Sequence, residues 1–268
     1  MPFVEISDKS VFYNVNIRNE TNPLIICLHN IFSSSTSFEP LIGAVEQFNT
    51  LVVDLPNHGQ SSDCEYSDFI DISVGALQSL IEEINPRHFF VICHGVGTIV
   101  ANALFFFLIP SISDRCVAYY VLAYNEEALL SIDRQLPILA NRRPFGKEVT
   151  VEEAVLTVNE PMENAFKAVF ARSLLTDGKY RVDIRRLIPV WKQLIEGNEE
   201  KLILICQTKQ VVFVTKSLQT LPNAIDHQTE MGKMMTLFFD KTYSCFQISN
   251  AEELGEQLVV FYRRFLSI

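Results

Sequence analysis

The chain has 268 residues, of which 48% are hydrophobic and 20 are phenylalanine, enough for one large buried core and too apolar for an intrinsically disordered chain. The formal net charge is −10 and the pI about 5.0. Such a field repels phosphate backbones, and the short Arg142-Arg143 pair cannot reverse it, so no nucleic-acid partner is expected.

The opening MPFVEISDKS has no basic stretch followed by an apolar one, and no leader is expected from it. Apolar runs at Val11 to Val15, Leu24 to Leu28, Thr50 to Val53, Phe89 to Cys93 and Val117 to Ala123 read as strands. So do Leu202 to Cys206 and Thr236 to Phe239. Several are apolar at every position, as strands covered on both faces of a parallel sheet are. Helical spacing appears over Ile72 to Ile84, over Gly97 to Phe107 and, with Leu254, Leu258, Phe261 and Phe265 on one stripe, over Ala251 to Phe265. The longest apolar run, Ala103 to Ile109, ends at Pro110 and is far shorter than the roughly 20 residues of a membrane span.

The alternation of strand and helix predicts an α/β fold with a mostly parallel twisted sheet. Residues 125–200 break the rhythm and read as helices over Val151 to Val158, Pro161 to Leu175 and Val182 to Ile195. They are expected to form a helical insertion, or cap, between core segments 1–124 and 201–268. The 6 cysteines contain no CxxC pair, and Cys27, Cys93 and Cys206 lie in apolar runs. That predicts free buried thiols in a reducing, cytoplasmic setting, with no metal and no cofactor.

Two stretches carry a family resemblance. Leu24-Ile25-Ile26-Cys27-Leu28-His29-Asn30, followed by Asp54-Leu55-Pro56-Asn57-His58-Gly59-Gln60-Ser61, resembles the strand ending in His-Gly and the Asp-x-x-x-x-Gly-x-Ser loop of the α/β-hydrolases. Phe90-Val91-Ile92-Cys93-His94-Gly95-Val96-Gly97 stands where that family has its strand, nucleophile elbow and helix, written Gly-x-Ser-x-Gly. The resemblance implies an α/β-hydrolase fold with a pocket between core and cap, lined here by His29, Asn30, Ile31, His94, Gly95 and Val96.

The chemistry implied by the family is not present at the matching positions. Gly95 stands in the place of the nucleophile and offers no reacting atom. After the expected strand Leu202 to Cys206, Gln210 or Lys209 stands where the acid belongs, with Glu126 and Glu127 as alternatives one strand earlier. Ser244 stands where the base belongs, and no histidine follows His227. Asn30 replaces the glycine that lets backbone N–H groups approach a substrate; its amide either narrows the site or donates to an oxyanion. Cys93 as a displaced nucleophile, and His29 and His58 as catalysts, are weaker readings than buried core and loop anchors. His88 is expected to be exposed, and Ser33 to Ser37 to form a flexible turn with a helix cap.

These readings predict a non-catalytic protein that binds a small apolar molecule in the pocket. The alternative is an interaction protein whose pocket is filled by side chains and whose partner is another protein. A third is an enzyme with non-standard residues.

Overall fold

A computed structural model describes residues 2–108, 110–123, 126–158, 163–215, 234–238 and 245–266. The strands are β1 (Phe3–Ile6), β2 (Lys9–Asn16), β3 (Leu24–Leu28), β4 (Asn49–Val53), β5 (Phe89–His94), β6 (Cys116–Leu122), β7 (Leu175–Thr176), β8 (Lys179–Tyr180), β9 (Val211–Thr215) and β10 (Met234–Phe238). All but β7 and β8 join one sheet in the order β1-β2-β4-β3-β5-β6-β9-β10. The β1/β2 and β2/β4 pairings are antiparallel and the remainder parallel.

Every residue of β3, β5 and β6 is buried because helices cover both faces. Side chains alternate between two cores. Leu24, Ile26 and Leu28 of β3 pack with helices Phe69–Ile84 and Val96–Phe107. Ile25 and Cys27 pack on the other face with helices Glu39–Ala44 and Ala251–Leu266. The chain leaves β3 toward β4 on one side and returns to β5 on the other. The adjoining C-terminal ends of β3 and β5 are therefore the switch point of the sheet, the place where open α/β sheets bind ligands.

Two expectations about elements are corrected. Leu202-Ile203-Leu204-Ile205-Cys206 is not a strand but part of helix Asn198–Thr208. Leu202, Ile205 and Cys206 are buried whereas Leu204 is 49% exposed, which is the helical period rather than alternation. The strand is instead Val211–Thr215. The segment Val182 to Ile195 is not one helix either. Pro189 removes a backbone donor, and the chain divides into Ile184–Leu187, a 3₁₀ turn at Ile188–Val190, and Trp191–Ile195.

The helical segment after β6 also contains a hairpin, β7 with β8. Its turn residues Asp177 and Gly178 have φ of +51° and +71°, the Asp-Gly arrangement of a tight two-residue turn. The Ser33 to Ser37 stretch is not a flexible turn, because Ser33, Ser34, Ser35 and Ser37 are all buried. Their polar atoms are satisfied internally. Ser33 Oγ donates to Ser173 Oγ, the Ser35 N–H to Asp54 Oδ1, and Ser37 Oγ to the Ser34 carbonyl.

Candidate functional site: an elbow without a side chain

Strand β5 turns into helix Val96–Phe107 through Gly95, at φ +54° and ψ −117°. This is a conformation that side-chain-bearing residues rarely adopt and glycine reaches without strain. The strand-turn-helix geometry that would present a nucleophile is intact, but its apex carries no reacting atom. Gly97 serves a different end. A Cβ there would overlap the Leu28 carbonyl, so glycine lets the helix lie directly against β3.

Leu28 is the register partner of Cys93, which brings Asn30 beside Gly95. Asn30 Oδ1 accepts from the Ile31 N–H at 2.7 Å and from the Val96 N–H at 3.3 Å. A Cβ on Gly95 would overlap Asn30 Oδ1 and Cγ and lie 3.0 Å from its Nδ2. The Asn30 amide thus fills the space that a side chain at position 95 would need. Ile31 and Val96 are buried beneath it, while Asn30 and Gly95 are half-exposed.

The histidines are held as neutral rings. His29 Nε2 accepts from the Leu55 N–H at 2.9 Å, so its proton sits on Nδ1, 2.7 Å from the Asn30 carbonyl. Burial lowers its pKa to about 4. His58 Nδ1 contacts the Pro56 carbonyl at 2.7 Å, and burial lowers it to about 3. His94 Nδ1 accepts from Gln247 Nε2 at 3.2 Å, and burial lowers it to about 4. His88 is half-buried, not exposed, with its ring edge-on to Phe265 at 5.5 Å.

Cys93 is fully buried and donates to the Tyr120 carbonyl at 3.3 Å. Burial pushes its thiol up to about 12, so it supplies no thiolate near neutral pH.

The position assigned to the acid is corrected. Gln210 precedes β9, and its carbonyl accepts from the Tyr119 N–H at 2.9 Å. It therefore stands at the N-terminal edge of the sheet, about 17 Å of strand away from the elbow side. The residues after β9, 216–233, include His227 and lie outside the described residues, as does Ser244. The side chains of Glu126 and Glu127 also lie outside those described.

Gln247, absent from the sequence reading, reaches the elbow region from the short helix Phe246–Ser249. Its Nε2 engages His94, and its Oε1 is buried with no hydrogen-bond partner among the described residues. Arg181 was missed as well. It donates from Nε to the Gly59 carbonyl, from its second terminal nitrogen to the Ser61 carbonyl, and from its first to Asp63 at 2.6 Å. It thereby clips the β7–β8 hairpin onto the loop after β4. Among the described residues no cluster of His, Cys, Asp and Glu could hold a metal, and no helix is long and apolar enough to cross a membrane.

A groove of about 580 Å³, with no elbow residue in its lining, is lined by Pro40, Phe166, Ile248, Ala251 and the acidic Glu252, Glu253 and Glu256.

The fold is that of the α/β-hydrolases. The chain aligns with E-2-(acetamidomethylene)succinate hydrolase over 97% of its own length and 98% of that chain, with a TM-score of 0.73 at 16% identity. It aligns with a carboxylesterase from the ammonia-oxidizing thaumarchaeon Nitrososphaera gargenis over 99% of both chains, with a TM-score of 0.72 at 12% identity. An epoxide hydrolase from Vigna radiata aligns over 98% and 97%, with a TM-score of 0.62 at 17% identity. At such identities the likeness establishes fold alone.

No protein-family model matches the chain. Curated relatives match locally. A 2-succinyl-6-hydroxy-2,4-cyclohexadiene-1-carboxylate synthase of Pectobacterium atrosepticum is 32% identical over 66 residues, 25% of this chain and 26% of that protein. The synthase of the same description from Photorhabdus laumondii is 31% identical over 61 residues, 23% and 22%. The match spans about a quarter of these relatives' length.

Proposed function

We propose that this chain is a non-hydrolytic protein of α/β-hydrolase fold that acts by binding, with residues 125–200 as a cap over a core formed by 1–124 and 201–268. One observation carries the reading. The elbow keeps its geometry, yet Gly95 at its apex has no side chain, and the nearby Cys93 and His94 are buried, the thiol protonated and the ring neutral. Acyl transfer in this fold needs an activated nucleophile at the apex.

The two binding readings separate at Asn30. Its amide takes the Ile31 and Val96 N–H groups and fills the space over Gly95, where the family resemblance puts a ligand pocket. This supports the reading in which the pocket is filled from within and a protein partner is bound elsewhere on the surface. A small apolar ligand is the alternative. The competing enzymatic reading draws on the local likeness to the synthases.

The wild-type protein is expected to resist labelling by a fluorophosphonate probe and to leave p-nitrophenyl acetate unhydrolysed. Gly95→Ser alone is expected to remain inactive and to lose stability, because its Cβ meets Asn30. Rapid ester turnover by wild type or variant, or turnover of the synthases' substrate, would overturn the reading. Native mass spectrometry of protein isolated gently from its own cells then separates the binding readings. An added mass of a few hundred daltons identifies a small-molecule binder, and a protein-sized mass a partner.

A further inference from the structure

We propose that Asn30 is an internal ligand: its Oδ1 occupies a carbonyl-binding hole that the fold still builds from the Ile31 and Val96 N–H groups, and keeps that hole shut against an external carboxylate or acyl oxygen. The inference rests on the non-hydrolytic reading only in taking position 95 to carry no reacting group.

The geometry separates this from an ordinary loop contact. The bond from Ile31 alone would be a local turn, since the two residues are neighbours in the chain. The bond from Val96 joins residues 66 apart in sequence and brings in a second element. Val96 opens a helix of 12 residues, and its N–H has no acceptor within that helix. Two backbone donors from separate segments converge on one oxygen, as oxyanion-binding donors do. Both neighbours are donors, so the amide oxygen rather than its nitrogen faces them. An amide oxygen is the same kind of acceptor that an ester, an amide or a carboxylate would present there. The helix N-terminus adds a partial positive charge that favours such an oxygen.

Steric facts bind Asn30 to Gly95. The amide lies where a Cβ of residue 95 would stand, so the internal ligand and a side chain at the apex exclude one another. The donors belong to buried Ile31 and Val96, whereas Asn30 is half-exposed. Withdrawing the amide uncovers the hole without displacing the core.

The test is an NMR titration of the ¹⁵N-labelled full chain with butyrate, following the Ile31 and Val96 amides. In wild type these signals are expected to stay in place. In Asn30→Gly they are expected to shift saturably, with affinity at least about tenfold tighter than wild type. Equal titration of both proteins would show that the amide is no barrier. A folded Asn30→Gly that does not titrate would show that the donors form no hole. If that variant does not fold, Asn30→Ala carries the same two outcomes.

A thermal cycle tests the coupling separately. Gly95→Ser is expected to lower Tm by ~5 °C or more; the part that comes from the clash with Asn30 is expected to vanish in the Asn30→Gly background, and the part that comes from the positive φ to remain. Additive losses would overturn the proposal. Failure of the non-hydrolytic reading would appear as ester turnover, which none of these signals reports.

Discussion

Glycine at position 95 and glycine at position 97 are two residues apart and answer to different neighbours. Gly97 faces the Leu28 backbone, which cannot step aside. Gly97→Ala should therefore force helix Val96–Phe107 off β3 and destabilise the protein by about 3 kcal/mol, measured by urea denaturation with far-UV circular dichroism. A loss below about 0.5 kcal/mol would mean that the helix can shift freely. Gly95 stands at a positive φ that strains any side chain, and beyond that strain it faces only the end of the Asn30 side chain, so the clash part of its intolerance depends on what stands at position 30. The empty apex was legible in the sequence, since Gly95 occupies the middle of a recognisable elbow motif. The orientation of the Asn30 amide was not. A sequence shows that a glycine has become asparagine, but only the adjacency of β3 and β5 shows which donors its oxygen meets.

Among the elements, the strands β3, β5 and β6 declared themselves through unbroken apolar runs. The same criterion misplaced the strand after the helical segment. Leu202 to Cys206 and Val211 to Val214 are both short and apolar, and pattern alone assigns neither. Burial separates them: the first exposes Leu204 and buries one helical face, while the second is buried at Val211, Val212, Phe213 and Val214. The shift moved the acid position past Gln210 and out of the described residues.

The β7–β8 hairpin went unseen because its strands are two residues each, too short for a periodicity to register. It matters for how the segment after β6 is held. Arg181 joins it to Gly59, Ser61 and Asp63, with the arginine side chain only 18% exposed. Arg181→Ala is expected to lower stability by roughly 2 kcal/mol. It is also expected to speed amide hydrogen exchange in the loop after β4 and in the hairpin together. Unchanged exchange in either would show that the arginine does not connect them.

At the scale of the whole molecule, three buried imidazoles make stability depend on acidity. His29, His58 and His94 have pKa values lowered to about 4, about 3 and about 4 by burial. In the unfolded chain each takes up a proton near the usual value of about 6.5. Between those limits the unfolded state binds more protons. The stabilisation is complete above about pH 6.5 and is lost as the pH falls toward 4. From pH 7 to pH 5 the loss is roughly 2 kcal/mol per histidine. Urea midpoints at the two pH values should fall accordingly, and equal midpoints would show that the rings are solvated in the native state. The α/β class, the two-sided sheet and the absence of a nucleophile at the elbow were all open to sequence reasoning, because each depends on chain-local patterns. The charge state of the histidines was not, since it depends on what is stacked above them.

The exclusion between Asn30 and a side chain at position 95 also has a historical consequence. A lineage that holds this arrangement could not acquire serine at the apex by one favourable change. Serine first would pass through a strained protein, whereas glycine at position 30 first would leave the backbone donors uncovered and the apex free. The change is open in one order and obstructed in the other. The arrangement behaves as a ratchet: whatever the chain's ancestry, the packing at this corner hinders the arrival of a side chain at the apex.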